Sequence, residues 1–373
     1  MAFLVGVPRE TKAGEHRVSV TPRGVAVLRG AGARVVVQAG AGEGSGFSDS
    51  LYTTAGASVE ADPARAWAAD LVVKIKEPLP PEYRYLSDRS AIFTYLHLAA
   101  APALVDELIR RGVSAIAYET VTRGGGLPLL RPMSEVAGIL AVQAGARGLE
   151  KESGGMGILL SGVTGAVPAR VCVIGAGVAG RSAARVAAAI GADVTILDIS
   201  REQLERAKRE IGGPVETHRS TPETLEASVI RSDLVISTVL VVGEKAPVLV
   251  SRDLLRKMKR GAVVVDISID QGGTLETSRP TTHAAPFFVE EGIVHYCVTN
   301  MPAAVPRTST IALSEATLPD LVAMARGGVI TALRNDDGLR AGLNTFRGQI
   351  TCAGVARALG REFLPPESIL LAE

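Results

Sequence analysis

Residues 171–198, VCVIGAGVAGRSAARVAAAIGADVTILD, contain the pattern that decides the fold. Gly175, Gly177 and Gly180 follow an apolar strand and open an Ala-rich helix, which is the arrangement of a GxGxxG motif. The first glycine permits a tight turn, the second lets the backbone approach a pyrophosphate, and the third lets the helix pack closely on the strand. Asp198 ends the next strand, where a carboxylate binds ribose hydroxyls and repels a 2′-phosphate. The stretch therefore predicts a dinucleotide-binding βαβ unit that prefers NAD to NADP.

Two other features bear on this interpretation. Arg201 follows Asp198 closely and would approach a 2′-phosphate if its loop turned inward. A second glycine-rich stretch, AGAGEGSGF at residues 39–47, lacks the strand–turn–helix context that the motif requires. We therefore predict a surface turn there and a dinucleotide site at 171–198.

Short apolar segments alternate with helical patterns along most of the chain, which favours parallel βαβ units. Strands are predicted at Leu4–Val7, Arg34–Gln38, Leu71–Lys76, Ala91–Leu96, Ser114–Tyr118, Val171–Ile174, Val194–Leu197, Leu234–Thr238, Ala262–Ile267 and Ile293–Val298. Helices are predicted at Pro22–Arg29 and Ala103–Arg111, and another is expected to start at Ser134 as its N-cap. The part of the chain after residue 310 is predicted to be mostly helical.

The order of these segments predicts an α/β fold with two doubly wound, Rossmann-like domains. The Gly- and Pro-rich segment that starts at Thr122 and the segment NMPAAVPRTST at 300–310 are the predicted crossings between domains. We expect a discontinuous substrate domain of residues 1–128 and 306–373, with an NAD-binding domain of residues 129–305 inserted into it. The cleft between the domains is the expected site.

Composition and charge exclude several classes of protein. Of the 373 residues, 47% are hydrophobic and 21% charged, and the net charge of +1 offers no overall attraction to nucleic acid or an anionic membrane. No apolar run is long enough to span a bilayer, and the opening MAFLVGVPRET is predicted to be a strand and not a signal peptide. Cys172 and Cys297 lie in apolar strand-like runs, so we expect buried free thiols and a cytoplasmic protein.

Polar residues at the carboxyl ends of predicted strands are the candidates for chemistry, because ligands bind there in open parallel sheets. Lys74 and Lys76 share one face at a strand end; they either reach water or belong to a site. His97 follows the apolar run AIFTYL, and its position at a strand end favours proton transfer over a structural role. These residues predict a basic site with a histidine.

A second group of candidate site residues lies near the predicted strands Ala262–Ile267 and Ile293–Val298. Asp270 follows a buried strand and precedes two glycines, whereas Asp266 lies inside that strand and is either functional or a satisfied buried carboxylate. Ser134 and the segment Asn300–Pro302 are expected to face the same cleft. Arg17, in KAGEHRVSVTP, would by itself pass for a surface arginine. The other four histidines have no companions at metal-ligand spacing, so no metal site is predicted.

Together these motifs resemble the alanine dehydrogenase family, which also includes the NAD-binding subunit of proton-translocating transhydrogenase. The resemblance runs from the first strand nearly to the C-terminus. It is carried by VPRETKAGEHRVSVTP, QAGAGEGSGFSD, VKIKEP, FTYLHLA, PLLRPMSEVAG, VIGAGVAG, VDISIDQGG, SRPTTH and NMPAAVPRTST.

The resemblance implies a role for each matching residue. Arg17 and Lys76 are expected to hold the substrate carboxylate and keto oxygen, and His97 and Asp270 to form the acid–base pair. Gln203 stands where relatives often carry a positive side chain. The implied NAD site consists of Ser134, Gly175, Gly177, Val178, Ala179, Gly180, Asp198, Ser220, Val239, Leu240, Ile267, Asp270, Asn300 and Met301.

The implied activity is the reversible oxidative deamination of L-alanine to pyruvate and ammonia with NAD, in a homohexamer. Two alternatives stay open at this point: a transhydrogenase-type NAD-binding subunit, and a non-catalytic NAD-sensing module. The latter has no reason to keep Arg17, Lys76, His97 and Asp270 together. Lysine- and saccharopine-type dehydrogenases share parts of the pattern. The bulky side chains of Tyr95, Met133 and Met301 favour a small substrate side chain.

Overall fold

The computed structural model describes residues 2–239 and 246–370. The chain folds into two compact units. Unit 1 comprises Met1–Met133 and Val305–Glu373, and unit 2 comprises Ser134–Ala304. The chain passes from unit 1 to unit 2 between Met133 and Ser134, and returns to unit 1 between Ala304 and Val305. The two boundaries predicted from the sequence lie after residues 128 and 305.

The strands of the described residues are short and mostly apolar. In chain order they are β1 (Leu4–Val7), β2 (Arg34–Gln38), β3 (Ser58–Glu60), β4 (Leu71–Val73), β5 (Ala91–Thr94), β6 (Ser114–Ala117), β7 (Arg170–Ile174), β8 (Asp193–Asp198), β9 (Val215–Arg219), β10 (Leu234–Ser237), β11 (Val263–Asp266), β12 (Phe287–Glu290), β13 (Ile293–Tyr296), β14 (Leu343–Phe346) and β15 (Gln349–Ile350).

The α-helices of the described residues separate most of these strands. They are α1 (Pro22–Gly30), α2 (Asp49–Thr54), α3 (Pro63–Trp67), α4 (Pro102–Arg110), α5 (Arg131–Leu149), α6 (Val178–Ile190), α7 (Arg201–Ile211), α8 (Pro222–Arg231), α9 (Arg252–Arg256), α10 (Pro306–Gly327), α11 (Val329–Asn335), α12 (Asp337–Arg340), α13 (Ala353–Leu359) and α14 (Pro366–Leu370).

The described part of unit 1 contains an eight-stranded sheet in the order β15-β14-β6-β5-β4-β1-β2-β3. Its first six strands in the chain pair in parallel, whereas β14 and β15 pair antiparallel. The central strands are buried on both faces, as the Val-rich runs of β1 and β4 require. This layout brings the carboxyl ends of β5, β4 and β1 side by side at one edge.

The described part of unit 2 contains a seven-stranded sheet in the order β12-β13-β11-β10-β7-β8-β9, parallel except for β12. Two apolar clusters cover its faces; Val173 and Ala183 lie in one, and Cys172 and Val264 in the other. The prediction of two Rossmann-type α/β sheets is confirmed. Cys172 and Cys297 are buried free thiols, as expected, and burial raises the pKa of each to about 12.

The prediction that the part after residue 310 is mostly helical is confirmed; this part also contains β14 and β15, which complete the first sheet. Two local predictions were wrong. Ser134 lies inside α5 and is not its N-cap, because the helix begins at Arg131. The glycine-rich stretch at 39–47 is not simply a surface turn, since Ser45 is buried and a Cβ at Gly42 would lie 2.5 Å from Phe47 O.

Within residues 2–239 and 246–370, no single helix is long and apolar enough to cross a membrane, and the one pair that passes by length and composition, α10 with α11, is bent by 117°.

Candidate active site

The glycine turn after β7 has the backbone that a dinucleotide requires. Gly175 has a φ of 102°, and a Cβ at Gly180 would lie 1.8 Å from the carbonyl oxygen of Gly175. Gly177 is the N-cap of α6, and a Cβ there would meet no described heavy atom within 4 Å. Among the described residues, no side chain caps this N-terminus, whose partial positive charge is suited to an anion. The turn therefore fits a pyrophosphate.

A carboxylate and a guanidinium hold the turn from both sides. Asp198 Oδ2 accepts a 2.6 Å hydrogen bond from the Ala176 N–H, and its Oδ1 accepts one of 2.7 Å from the Ser200 N–H. Arg181 is buried, and its Nη1 donates to the Ala176 carbonyl at 2.6 Å. The same Nη1 donates to Gln203 Oε1 at 2.9 Å. Gln203 thus contacts the cation that supports the turn, and the motif alone does not reveal this role of Arg181.

Gly180→Ala is expected to weaken NAD binding about 10-fold or more, because the added Cβ forces helix and turn apart and overpacking of this kind costs about 1–3 kcal/mol. Titration of the purified variant with NADH, followed by cofactor fluorescence, measures this loss. Gly213→Ala is the matched control, since its Cβ would meet no described atom within 4 Å. Equal affinity of the two variants would contradict the prediction.

The predicted cofactor residues of unit 2 follow neighbouring strands at the same sheet edge. Ser220 follows β9, and its N–H donates to the Asp198 carbonyl at 2.8 Å. Val239 follows β10, and its carbonyl accepts a 2.7 Å bond from Ser268 Oγ, next to Ile267. Ser134 lies in α5 and is half-buried. Leu240 lies outside the described residues.

Asp270 and Asn300 come together in the structure. Asp270 is exposed on the 3-10 turn Ile267–Gln271, directly after β11. Its two carboxylate oxygens lie 3.3 and 3.4 Å from the Asn300 nitrogen, which donates to them. Asn300 has a φ of 57°, and the buried Met301 follows it. A hydrogen bond between the Asn300 backbone N–H and the Asp270 carboxylate therefore connects the turn after β11 with the segment after β13.

Asp266 supports the turn that carries Asp270. Its carboxylate is fully buried and accepts hydrogen bonds from the N–H groups of Ser268 and Thr274 and from Ser278 Oγ, at 3.0, 2.7 and 2.6 Å. Burial raises the pKa of Asp266, and these donors act in the opposite direction. Asp266 is the satisfied buried carboxylate, which confirms that alternative.

Unit 1 brings the predicted substrate residues to the carboxyl ends of neighbouring strands. Lys76 follows β4, half-buried, and its carbonyl accepts a 3.1 Å bond from Thr94 Oγ1 at the end of β5. His97 follows β5 and is exposed, with the ring of Tyr95 stacked at 6.0 Å between centroids. Lys76 and His97 therefore both follow the carboxyl ends of parallel strands, where the sequence analysis placed them.

Arg17 is 2% exposed and not a surface arginine. Its Nε and Nη2 donate to the two oxygens of Glu15 at 2.7 and 2.5 Å, and its Nη1 lies 3.0 Å from Met133 Sδ. The hydroxyl of Tyr95 donates to the Leu129 carbonyl at 2.6 Å. Burial raises the pKa of this hydroxyl, while the Arg17 charge lowers it. A guanidinium that Glu15 fixes in one orientation can bind a small carboxylate.

Lys74 neither reaches water nor belongs to the substrate site, the two alternatives that the sequence left open. It is fully buried, and its Nζ lies 3.2 Å from Glu10 Oε2 and 3.0 Å from Glu82 Oε1. Glu10 Oε1 also accepts from the Ile75 N–H at 2.6 Å, and Glu82 Oε2 from the Leu79 N–H at 2.8 Å. The chain around Lys76 is therefore held by a buried ionic cluster, whose acidic members the sequence did not suggest.

No group of three or more His, Cys, Asp or Glu side chains in the described ranges is placed to hold a metal ion.

Comparison with known proteins agrees with this arrangement. The family described as "Alanine dehydrogenase/PNT, N-terminal domain" matches residues 6–137, and "Alanine dehydrogenase/PNT, C-terminal domain" matches residues 141–353. Alanine dehydrogenase of Halomonas elongata is 53% identical over 98% of this chain and 99% of its own length. That of Bacillus subtilis is 50% identical over 100% and 98%, respectively. A solved structure of L-alanine dehydrogenase superimposes with a TM-score of 0.92 at 45% identity, covering 96% of this chain and 99% of that one.

These matches cover both units, so the chain belongs to the alanine dehydrogenase/PNT family.

Proposed function

We propose that this protein is an NAD-dependent amino-acid dehydrogenase that interconverts L-alanine and water with pyruvate and ammonia. The observation that carries the proposal is the identity of about half of all positions, over essentially the whole chain, with alanine dehydrogenases of two bacteria. Two further observations support the proposal: the glycine turn before α6 in unit 2, and the positions of Lys76 and His97 after the neighbouring strands β4 and β5 in unit 1.

We assign substrate binding to Arg17 and Lys76. The planar guanidinium of Arg17 can donate two parallel hydrogen bonds to the substrate carboxylate, and Glu15 holds it in one orientation. Lys76 places an ammonium group where negative charge develops on the carbonyl oxygen of pyruvate in the reverse reaction. The Met133 thioether contacts Arg17, which favours a small substrate side chain over that of lysine or saccharopine.

We assign proton transfer to His97 and Asp270. Bound NAD supplies the hydride acceptor for the Cα–H of alanine. His97 takes a proton from the water that adds to the resulting substrate imine, and returns one as ammonia leaves. Asp270, fixed by the Asn300 N–H, orients this water or stabilises the positive charge on the imine nitrogen.

We assign cofactor binding to residues of unit 2. The supporting observations are the open space at Gly177, the uncapped N-terminus of α6 and the Asp198 carboxylate, which disfavours a 2′-phosphate. The proposed NAD site consists of Ser134, Gly175, Gly177, Val178, Ala179, Gly180, Asp198, Ser220, Val239, Leu240, Ile267, Asp270, Asn300 and Met301.

We also propose a cytoplasmic homohexamer. The free thiols Cys172 and Cys297 are compatible with a reducing compartment. Analytical ultracentrifugation of the purified protein distinguishes a hexamer from smaller assemblies, and a monomer at micromolar concentration would contradict this part of the proposal.

The decisive experiment is an assay of the purified protein for NADH formation with NAD and L-alanine. Parallel reactions contain NADP in place of NAD, or glycine, L-serine or L-lysine in place of L-alanine. We expect turnover with NAD and L-alanine to exceed every other combination. NAD binding without turnover of any amino acid would contradict the proposal and favour a transhydrogenase-type or sensing role.

A further inference from the structure

His97 has a backbone conformation that is uncommon for residues other than glycine. Its φ and ψ are 48° and 41°, in the left-handed region, where a residue with a Cβ is strained. It lies between β5, which ends at Thr94, and the 3-10 turn Leu98–Ala100. Such a conformation persists only where surrounding groups hold it.

Glu119 supplies the groups that hold this backbone. Its Oε1 accepts a 2.7 Å hydrogen bond from the His97 N–H, and its two oxygens lie 3.2 and 3.3 Å from the Leu96 nitrogen, which donates to them. Hydrogen bonds to a carboxylate are about twice as strong as those between neutral groups. The Glu119 side chain thus accepts hydrogen bonds from the backbone N–H groups of both Leu96 and His97.

The turn that carries Glu119 is itself fixed by the sheet. It is the 3-10 turn Tyr118–Thr120, which directly follows β6, the parallel neighbour of β5. Thr120 Oγ1 accepts a 2.7 Å bond from Asn344 Nδ2 on β14, and Asn344 is 1% exposed. The carboxylate therefore has a defined position relative to the end of β5.

We infer that Glu119 is a positioning residue for His97: its carboxylate holds the Leu96–His97 backbone in the left-handed turn and so sets the orientation of the imidazole. Glu119 itself exchanges no proton with the substrate. The inference rests on the proposed role of His97 in catalysis, because only then does the orientation of this ring affect turnover.

Two variants with a matched control test the inference. Glu119→Ala removes both acceptor oxygens and is expected to lower kcat for L-alanine about 10- to 100-fold, the size of effect that a displacement of about 1 Å produces. Its KM for L-alanine should change less than about threefold, because Arg17 and Lys76 are untouched. Glu119→Gln keeps one oxygen that can accept from both N–H groups, and should recover part of the lost kcat. Glu107→Ala is the control, since Glu107 pairs with Arg110 and Arg111 on the surface of α4.

Hydrogen exchange measured by mass spectrometry reports on the same hydrogen bonds without turnover. The peptide containing residues 95–98 should exchange faster in Glu119→Ala than in the wild type, with Glu119→Gln between them and Glu107→Ala unchanged. Failure of the wild type to oxidise L-alanine would count against the proposed function, and this exchange measurement would still test the contact. An active wild type whose kcat survives Glu119→Ala, or unchanged exchange at 95–98, would overturn the inference.

Discussion

His97→Asn is expected to lower kcat for L-alanine oxidation by about 10²- to 10⁴-fold, the usual contribution of a general acid–base residue. Asparagine is the informative replacement because it tolerates the left-handed conformation that position 97 requires, with a φ of 48°. The substitution removes the imidazole ring while the backbone N–H that donates to Glu119 stays in place. Initial rates of NADH formation at saturating NAD measure the loss.

The control for this prediction is His283→Asn, which replaces an exposed histidine of unit 2. We expect it to retain wild-type kcat. Both variants should bind NADH with wild-type affinity, because the proposed cofactor residues are unchanged. A His97→Asn enzyme with more than about a tenth of wild-type kcat would show that another group carries the proton.

Lys74→Met is expected to lower the free energy of unfolding of unit 1 by about 3–5 kcal/mol, because it leaves Glu10 and Glu82 buried without their cation. Trp67, the only tryptophan of the chain, reports on this region, since Lys74 Nζ lies 5.6 Å from the centre of its ring. The shift of the urea midpoint in tryptophan fluorescence, with its slope, measures the change.

A combined variant separates loss of charge pairing from loss of packing. Lys74→Met with Glu10→Gln and Glu82→Gln contains no unpaired buried charge, so it should recover most of the stability that Lys74→Met loses. If Lys74→Met is as stable as the wild type, the buried ionic cluster contributes nothing and the prediction is wrong.

The same cluster predicts a loss of stability at alkaline pH. Burial alone would lower the pKa of Lys74, but Glu10 and Glu82 outweigh it and raise that pKa above its usual value. Because the folded state binds this proton more tightly, the stabilisation is fully present below the usual lysine pKa of about 10.4 and is lost as the pH rises through the folded value. Lys74→Met should lack this part of the alkaline transition.

The strand pattern and the glycine motif were readable from sequence because both are local. Leu4–Val7 and Arg34–Gln38 have the predicted bounds, and the turn at Gly175–Gly180 has the backbone that its glycines permit. A strand's apolar run and a turn's glycines act within a few residues, so neither needs the rest of the chain. Lys76, His97 and Asp270, which were chosen because ligands bind at the carboxyl ends of parallel strands, do follow β4, β5 and β11; their roles stay predictions.

Glu119 shows where that rule could have been used further. It directly follows the predicted strand Ser114–Tyr118, so the same reasoning would have included it, although nothing in its neighbours indicates that it binds the backbone at His97. Arg181 carries no such signal, because its partners Ala176 and Gln203 are defined only once α6 and α7 are packed.

The sequence by itself determined the α/β class, the dinucleotide turn and the side chains available for chemistry, since these depend on local periodicity and on residue type. Only the tertiary structure decided which of those side chains are fixed by hydrogen bonds or ion pairs, and which residues are their partners. Lys74 meets Glu10 from 64 positions away, and Asn344 meets Thr120 from 224. Such pairs leave no periodic trace in the chain, because burial and hydrogen bonding between them arise only after the strands have paired.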